Sequence, residues 1–227
     1  MKEKHISVAI DGPSGSGKST LARAAAEKLK FIYVDTGAIY RTVALHVLRR
    51  NVPPRDTAAV SALLPEVRIT LAYDEGGLQR MRLNEEDVTD LIRTQEVSMA
   101  TSAVSAHPAV RAFLLNMQRD MAKKHSVIMD GRDIGTVVLP DADVKIFLTA
   151  GSEVRARRRW LELQQRGTPR NFDQLLRETQ ERDEQDAGRA VAPLRPAEDA
   201  VTLDTTDLDL EQSLERIMEI IRERTGS

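Results

Sequence analysis

The run from Gly12 to Ser19, "GPSGSGKS", limits the fold more than any other stretch of the chain. It fits the phosphate-loop pattern G-x-x-x-x-G-K-[ST], and its flanks suit the mechanism of that pattern. "HISVAI" before it reads as a strand through Ile6, Val8 and Ile10, and "STLARAAAEKLK" after it reads as a helix rich in Ala, Leu and Lys. In such a loop the glycines let successive backbone N–H groups point at anionic oxygens, and the helix N-terminus adds its positive dipole. Gly12, Pro13, Ser14, Gly15, Ser16, Gly17, Lys18, Ser19 and Thr20 are therefore the candidate triphosphate site. Lys18 is expected to reach the β- and γ-phosphates, and Ser19 to offer its hydroxyl to Mg²⁺. The bland alternative, a chance Gly/Ser turn, explains neither flank.

The rest of the chain alternates in the same way. "FIYVD" (31–35), "SVIMD" (126–130), "VKIFLTA" (144–150) and "AVTLDT" (200–205) are short apolar runs of the kind buried in parallel sheets. Between them, "GAIYRTVALHVLRR" (37–50), "EVRARRRWLELQQ" and "FDQLLRETQERDEQD" read as helices, as does 90–124 with a second helix opening at Pro108. A terminal helix carries Leu210, Leu214, Ile217, Met218 and Ile221 as one apolar stripe. "VRITLAYD" and "LQRMRLN" alternate in period 2 about "EGG", which is hairpin chemistry inserted into a strand–helix chain. The expected fold is three-layer α/β, with a five-stranded parallel sheet, a small antiparallel insertion and a helical lid.

Composition narrows the function classes. With 227 residues and a net charge of −2, the chain can bury a core and has no general pull toward nucleic acid or anionic membrane. The absence of cysteine removes disulfides, thiolate metal sites and Cys nucleophiles. No run reads as a signal peptide or a membrane span, so a cytoplasmic protein is expected. A GTPase switch would carry N-K-x-D, yet no Asn here precedes a Lys.

A small-molecule kinase remains, and it needs an acceptor site. If the acceptor is itself a phosphate, its oxygen is already anionic and needs little help from a base. The barrier is then largely repulsion between polyanions, which positioned cations and Mg²⁺ offset. Several arginines from distant segments, with no obvious catalytic His or Glu, meet that demand. Asp130 and Asp35 each end an apolar strand, where a carboxylate is either a metal-side group acting through water or a turn residue.

"DGPSGSGKST", "DTGAIYR" (35–41), "IRTQEVS" (92–98), "DGRDIGTVVLPDA" (130–142) and "ERDEQDAGRAVAPL" (181–194) together resemble bacterial cytidylate kinases, in family order and covering most of the chain. The resemblance implies one kinase domain: a core of 1–36, 104–153 and 190–227, a monophosphate-binding region with the β insertion at 37–103, and a lid at 154–189. It implies that Thr36 and Arg41 hold the acceptor phosphate, and that Arg132 joins them. It gives Asp133 the cytosine amino group, a donor that uracil lacks, and gives Ser102 and Arg111 the base O2 and N3. Arg182 and Asp186 go toward the ribose hydroxyls and Arg189 toward the phosphate. On spacing alone Arg182, Asp186 and Arg189 would share one helix face as a salt-bridge ladder. Arg93 is left without a role. Some relatives have Gly-Lys-Gly-Thr in the loop where this chain has Gly-Lys-Ser-Thr, which favours metal coordination by Ser19.

The arginine run 155–170 (Arg155, Arg157, Arg158, Arg159, Arg166, Arg170) reads as a solvated face, a nucleic-acid patch or, from its place between helices, a mobile lid over ATP. Within it Arg158 is the first candidate for phosphate contact and Arg159 the next. Lys18, Arg132, Arg189 and Arg158 are the expected catalytic cations. The implied reaction moves the γ-phosphoryl of ATP to CMP or dCMP with Mg²⁺, in a monomer that binds neither nucleic acid nor membrane. The competing readings are a kinase for another nucleoside monophosphate or a sugar acid, and a phosphate-loop regulatory or nucleic-acid-binding module.

Overall fold

The short apolar runs become strands in a computed structural model, which describes residues 5–77, 79–165, 167–189 and 191–226. The strands are β1 (Ser7–Asp11), β2 (Ile32–Asp35), β3 (Ile69–Tyr73), β4 (Gln79–Leu83), β5 (Glu86–Asp87), β6 (Val127–Gly131), β7 (Val144–Thr149) and β8 (Val201–Asp204). The α-helices are α1 (Lys18–Leu29), α2 (Thr36–Arg49), α3 (Thr57–Leu63), α4 (Gln95–Val104), α5 (Pro108–Lys124), α6 (Ser152–Gln165), α7 (Phe172–Ala187) and α8 (Leu210–Thr225). They form two compact units, one of residues up to 33 together with 122 onward, the other of residues 34–121.

The first unit is built on the five-stranded sheet, ordered β2-β6-β1-β7-β8. β1 lies in the middle, parallel to β6 with Val8 opposite Ile128, and parallel to β7 with Val8 opposite Val144. Val8, Ala9 and Ile10 are fully buried because both faces of the sheet are covered, which is why these strands read as continuous apolar runs. Leu21, Ala22, Ala25 and Ala26 of α1 and Ile217, Ile220 and Ile221 of α8 pack with the sheet residues Ile10, Ile128, Ile146 and Leu148. The chain leaves β1 toward β2 on one side and leaves β7 toward β8 on the other. The carboxyl ends of β1 and β7 therefore flank a topological switch point, where open α/β sheets take ligands.

The α8 stripe differs from expectation at one end. Leu210 is 57 % exposed, because it opens the first turn directly behind a capping box of Asp209 and Gln212 and overhangs the packed segment. Ile220 takes a core place instead.

The second unit contains α2 packed on α4 and on β4. β4 is the middle strand of the antiparallel sheet, with its Met81 opposite Leu71 of β3 and its Leu83 opposite Glu86 of β5. β5 goes beyond the predicted two-strand hairpin. The β4–β5 turn places Asn84 (φ 48°) and Glu85 (φ 74°) in left-handed backbone, as a type I′ hairpin needs, without the glycine that usually signals it. Among the described residues no helix is long and apolar enough to cross a membrane.

Candidate active site

Gly12 leaves β1 at φ 156°, and a Cβ there would stand 2.0 Å from the carbonyl oxygen of Leu148 on β7. Only glycine lets the loop run so close to the neighbouring strand. Gly17 caps α1 in left-handed backbone at φ 89°. The carbonyls of Pro13, Ser14, Ser16 and Gly17 are all bonded inside the protein, to Lys18 Nζ, Arg155, Arg158 and the Leu21 amide. That arrangement gives the loop a donor-rich inner face suited to anions. Pro13 and Ser16 are buried with it, Ser14 is half-buried, and Gly15 and Thr20 are exposed.

Lys18 is 7 % exposed and its Nζ donates to the Pro13 carbonyl at 3.0 Å. Burial, then the charge of Arg132, pulls its pKa down to about 7. Ser19, next in α1, donates its hydroxyl to Asp130 Oδ2 at 2.7 Å, and Asp130 Oδ1 accepts from Tyr33 at 2.9 Å. Asp130 is thus an interior residue of β6, which runs on to Gly131, and not a turn residue. A hydroxyl and a carboxylate are hard oxygen donors that fit Mg²⁺, an ion that keeps waters and substrate phosphates as further ligands. The described residues contain no cluster of three or more His, Cys, Asp or Glu able to cage a metal.

Beyond β6 lies a charge cluster about one buried carboxylate. Arg132 Nε donates to Asp186 Oδ2 at 2.8 Å, and Arg189 Nη2 meets Asp186 Oδ1 at 2.6 Å. Asp186 is only 2 % exposed. Burial pushes its pKa up, yet Arg132 and Arg189 outweigh burial and hold it below the usual carboxylate value. α7 ends at Ala187 with Gly188 as its cap, so Arg189 is not on the helix that the i, i+4, i+7 spacing implied. The chain turns there, and the Leu194 amide returns to the Asp186 carbonyl at 2.9 Å. Arg182, exposed on α7, adds its field to both Lys18 and Asp186.

Asp133 is 5 % exposed, and its carbonyl accepts from Val137 and Val138 to start a wide helical turn of π type, Ile134–Val138. The residue holding that turn is Asp11, to which the sequence reading gave no role. Its carboxylate accepts from the Ile134 amide at 2.8 Å and the Gly135 amide at 2.7 Å. Burial raises its pKa to about 6 against the lowering effect of those amides. An Asp between the strand and the glycine loop was visible in the sequence, but its partners lie more than a hundred residues away.

The arginine run divides by environment. Arg155 is 5 % exposed and bonds the Ala150 carbonyl, the Ser14 carbonyl and Asp183 of α7, which makes it a strut between loop and helices. Arg158 reaches the Ser16 carbonyl at 3.2 Å and the Thr205 carbonyl at 2.8 Å, and so lies against the phosphate loop. Arg157, Arg159 and Arg170 pair at the surface with Glu153, Glu162 and Glu178. Arg166 lies outside the described residues.

In the second unit, Asp35 is the N-cap of α2. Its Oδ1 accepts from the Ala38 amide at 2.8 Å and its Oδ2 from Arg41 at 2.9 Å. The carboxylate that the sequence reading offered to a metal is engaged here by a helix end and a guanidinium. Arg41 folds back over the first turn, where a Cβ on Gly37 would be 3.1 Å from its Nη1. Its buried Nε has no partner among the described residues. Thr36 is the buried first residue of the helix. A guanidinium with an unused donor beside a helix N-terminus has the chemistry that suits an anion. Ser102 is half-buried on α4, and Arg111 on α5 bonds the Ser105 carbonyl at 3.3 Å with its guanidinium 5.7 Å from the Tyr40 ring centre. Arg93 is exposed.

A sequence profile described as Cytidylate kinase matches residues 8–223. The cytidylate kinase of Geobacter sulfurreducens is 50 % identical over 217 residues, covering 96 % of this chain and 93 % of its own. That of Desulfitobacterium hafniense is 47 % identical over 222 residues, covering 98 % and 95 %. An uncharacterized protein from Eubacterium ventriosum, solved by crystallography, overlays 97 % of this chain and 99 % of its own at a TM-score of 0.51 and 16 % identity, a likeness of fold alone.

Proposed function

Since the chain belongs to the cytidylate kinase family, we infer that it moves the γ-phosphoryl group of ATP to CMP or dCMP, giving ADP and CDP or dCDP. It is a phosphotransferase with a phosphate acceptor. The observation that carries the reading is the Arg132–Asp186–Arg189 cluster, in the same unit as the phosphate loop and near enough for Arg132 to shift Lys18.

The chemistry follows from charge. The acceptor oxygen of a monophosphate is already an anion, so transfer is direct and in line, with no phosphoenzyme. What slows it is the approach of two polyanions and the charge spread over the moving group. Lys18 and the loop amides hold the donor phosphates, and Arg132 and Arg189 neutralise the transferring charge with Arg158 from the lid. Ser19 and Asp130 would hold Mg²⁺, which when bound would neutralise phosphate oxygens there. Thr36 and Arg41 hold the acceptor phosphate, Ser102, Arg111 and Asp133 read the base, and Arg182 and Asp186 meet the ribose. Residues 37–103 form the acceptor region and 154–189 a lid that excludes water. The protein works as a cytoplasmic monomer.

The test is ADP formation from Mg-ATP with CMP, dCMP, UMP, AMP, GMP or shikimate in turn. CMP and dCMP should give the highest kcat/KM. Turnover of none of them, or ATP hydrolysis that ignores the acceptor, would refute the assignment.

A further inference from the structure

The inserted sheet has a task that the reaction scheme does not account for. Gln79, the first residue of β4, is 9 % exposed and points its amide at the junction of β2 and α2. Its Oε1 accepts from the Asp35 backbone amide at 2.8 Å, and its Nε2 faces the Asp35 carbonyl at 3.4 Å and Met81 Sδ at 3.0 Å. One side-chain amide thus meets both peptide groups of Asp35, as a paired strand would, 44 residues away in the chain.

Asp35 is the residue on which the acceptor end of α2 depends. Its backbone, at φ −76° and ψ 93°, has the extended conformation of an N-cap, and its carboxylate holds both the Ala38 amide and Arg41. A rotation of the Asp35 peptide planes would swing that carboxylate, and Arg41 with it. Room for such a swing is small, because Arg41 already lies against Gly37.

We propose that Gln79 is a positioning residue for the acceptor phosphate, fixing the Asp35 backbone so that Arg41 is aimed before substrate arrives. This rests on the reading that Arg41 holds that phosphate. It assigns the hairpin a mechanical part in phosphate binding, through one buried amide.

The test is a double-mutant cycle of Gln79→Met with Arg41→Ala, read as KM for CMP, KM for ATP, kcat and melting temperature. Met keeps the length and bulk of Gln79 but bonds neither peptide group. Gln79→Met should raise KM for CMP roughly five- to thirtyfold, the worth of one or two hydrogen bonds, and leave KM for ATP within twofold. In the Arg41→Ala background the same change should add less than twofold, since a residue acting through Arg41 has nothing left to aim. Gln79→Glu is the second variant should the first not fold. It still accepts from the amide but faces the Asp35 carbonyl, so KM for CMP should again rise. A lower melting temperature with KM for CMP unchanged, or full additivity with Arg41→Ala, overturns the proposal. An Arg41→Ala protein with unaltered KM for CMP instead overturns the reading beneath it.

Discussion

Replacing Asp186 by Asn tests whether the buried carboxylate organises the arginines. In the parent chain each oxygen serves one guanidinium, at 2.8 Å to Arg132 and 2.6 Å to Arg189, and both arginine side chains are at most one-fifth exposed. Solvent therefore screens little of the interaction. Asn is the same size, but it can accept from only one arginine and must turn its NH₂ toward the other. One charge-assisted bond, about 1.5–3 kcal/mol, is lost, and a guanidinium is left facing a donor. Losing one partner of a buried ion pair costs about 3–5 kcal/mol, so a destabilisation of about 3 kcal/mol is expected. In a chain of this size that lowers the melting temperature by roughly 6–12 °C. The misdirected arginine should also lower kcat/KM for CMP by about a hundredfold, the scale seen when one oriented donor is removed from a transition state. Steady-state kinetics with CMP and dCMP and a thermal melt measure both effects. A variant that melts early but keeps kcat/KM within threefold of the parent would show that the cluster only holds the fold together.

Two pH effects follow from the buried groups. Lys18, with its pKa drawn down to about 7 by burial and Arg132, is largely neutral at pH 8. ATP phosphates should return its proton, so binding takes up a proton and affinity falls up to about tenfold per pH unit above 7. Calorimetric titration at pH 8 in two buffers of different ionisation heat measures the uptake, and equal heats would contradict it. Asp11 behaves in the opposite sense to most carboxylates, because burial lifts its pKa to about 6 from 3.8. Between those values the folded chain holds a proton that the unfolded chain has released. The stability this contributes is full below about pH 3.8 and lost as pH rises through 6, at up to roughly 1.4 kcal/mol per unit. Asp11→Asn should remove that slope from denaturant unfolding at pH 4.5 and 6.5, and parallel slopes in the two proteins would reject the argument.

Much of this architecture can be read from the chain because its signals are local. The phosphate loop is a contiguous pattern between a strand and a helix, and the parallel strands are unbroken aliphatic runs with both faces covered. The misses occur where distant residues decide. Six arginines between 155 and 170 look alike in sequence, yet Arg155 is buried against Ser14 and Asp183 while Arg157 and Arg159 sit on a wet helix face. The spacing of Asp186 and Arg189 suggested a surface ladder. They do form a pair, but Gly188 ends the helix between them, and Arg132, 54 residues upstream of Asp186, turns the pair into a triad about one buried carboxylate. Asp35 was legible as a strand-end carboxylate, not as a cap carrying Arg41. The roles of Gln79 and Asp11 were invisible because each serves backbone peptide groups remote in sequence.

The close approach of Gly12 to the Leu148 carbonyl has a consequence for how such a protein can change. Where a methyl group would go, strand backbone already stands, and backbone does not step aside as a side-chain tip does. The first glycine of the loop is consequently closed to substitution for a reason that precedes any ligand. β7 leads within three residues into α6, whose Arg155 bonds the same loop at the Ser14 carbonyl. Donor-site shape and the root of the arginine-bearing helices are thereby set by one shared wall, so mutations that reshape either must begin at positions other than this one.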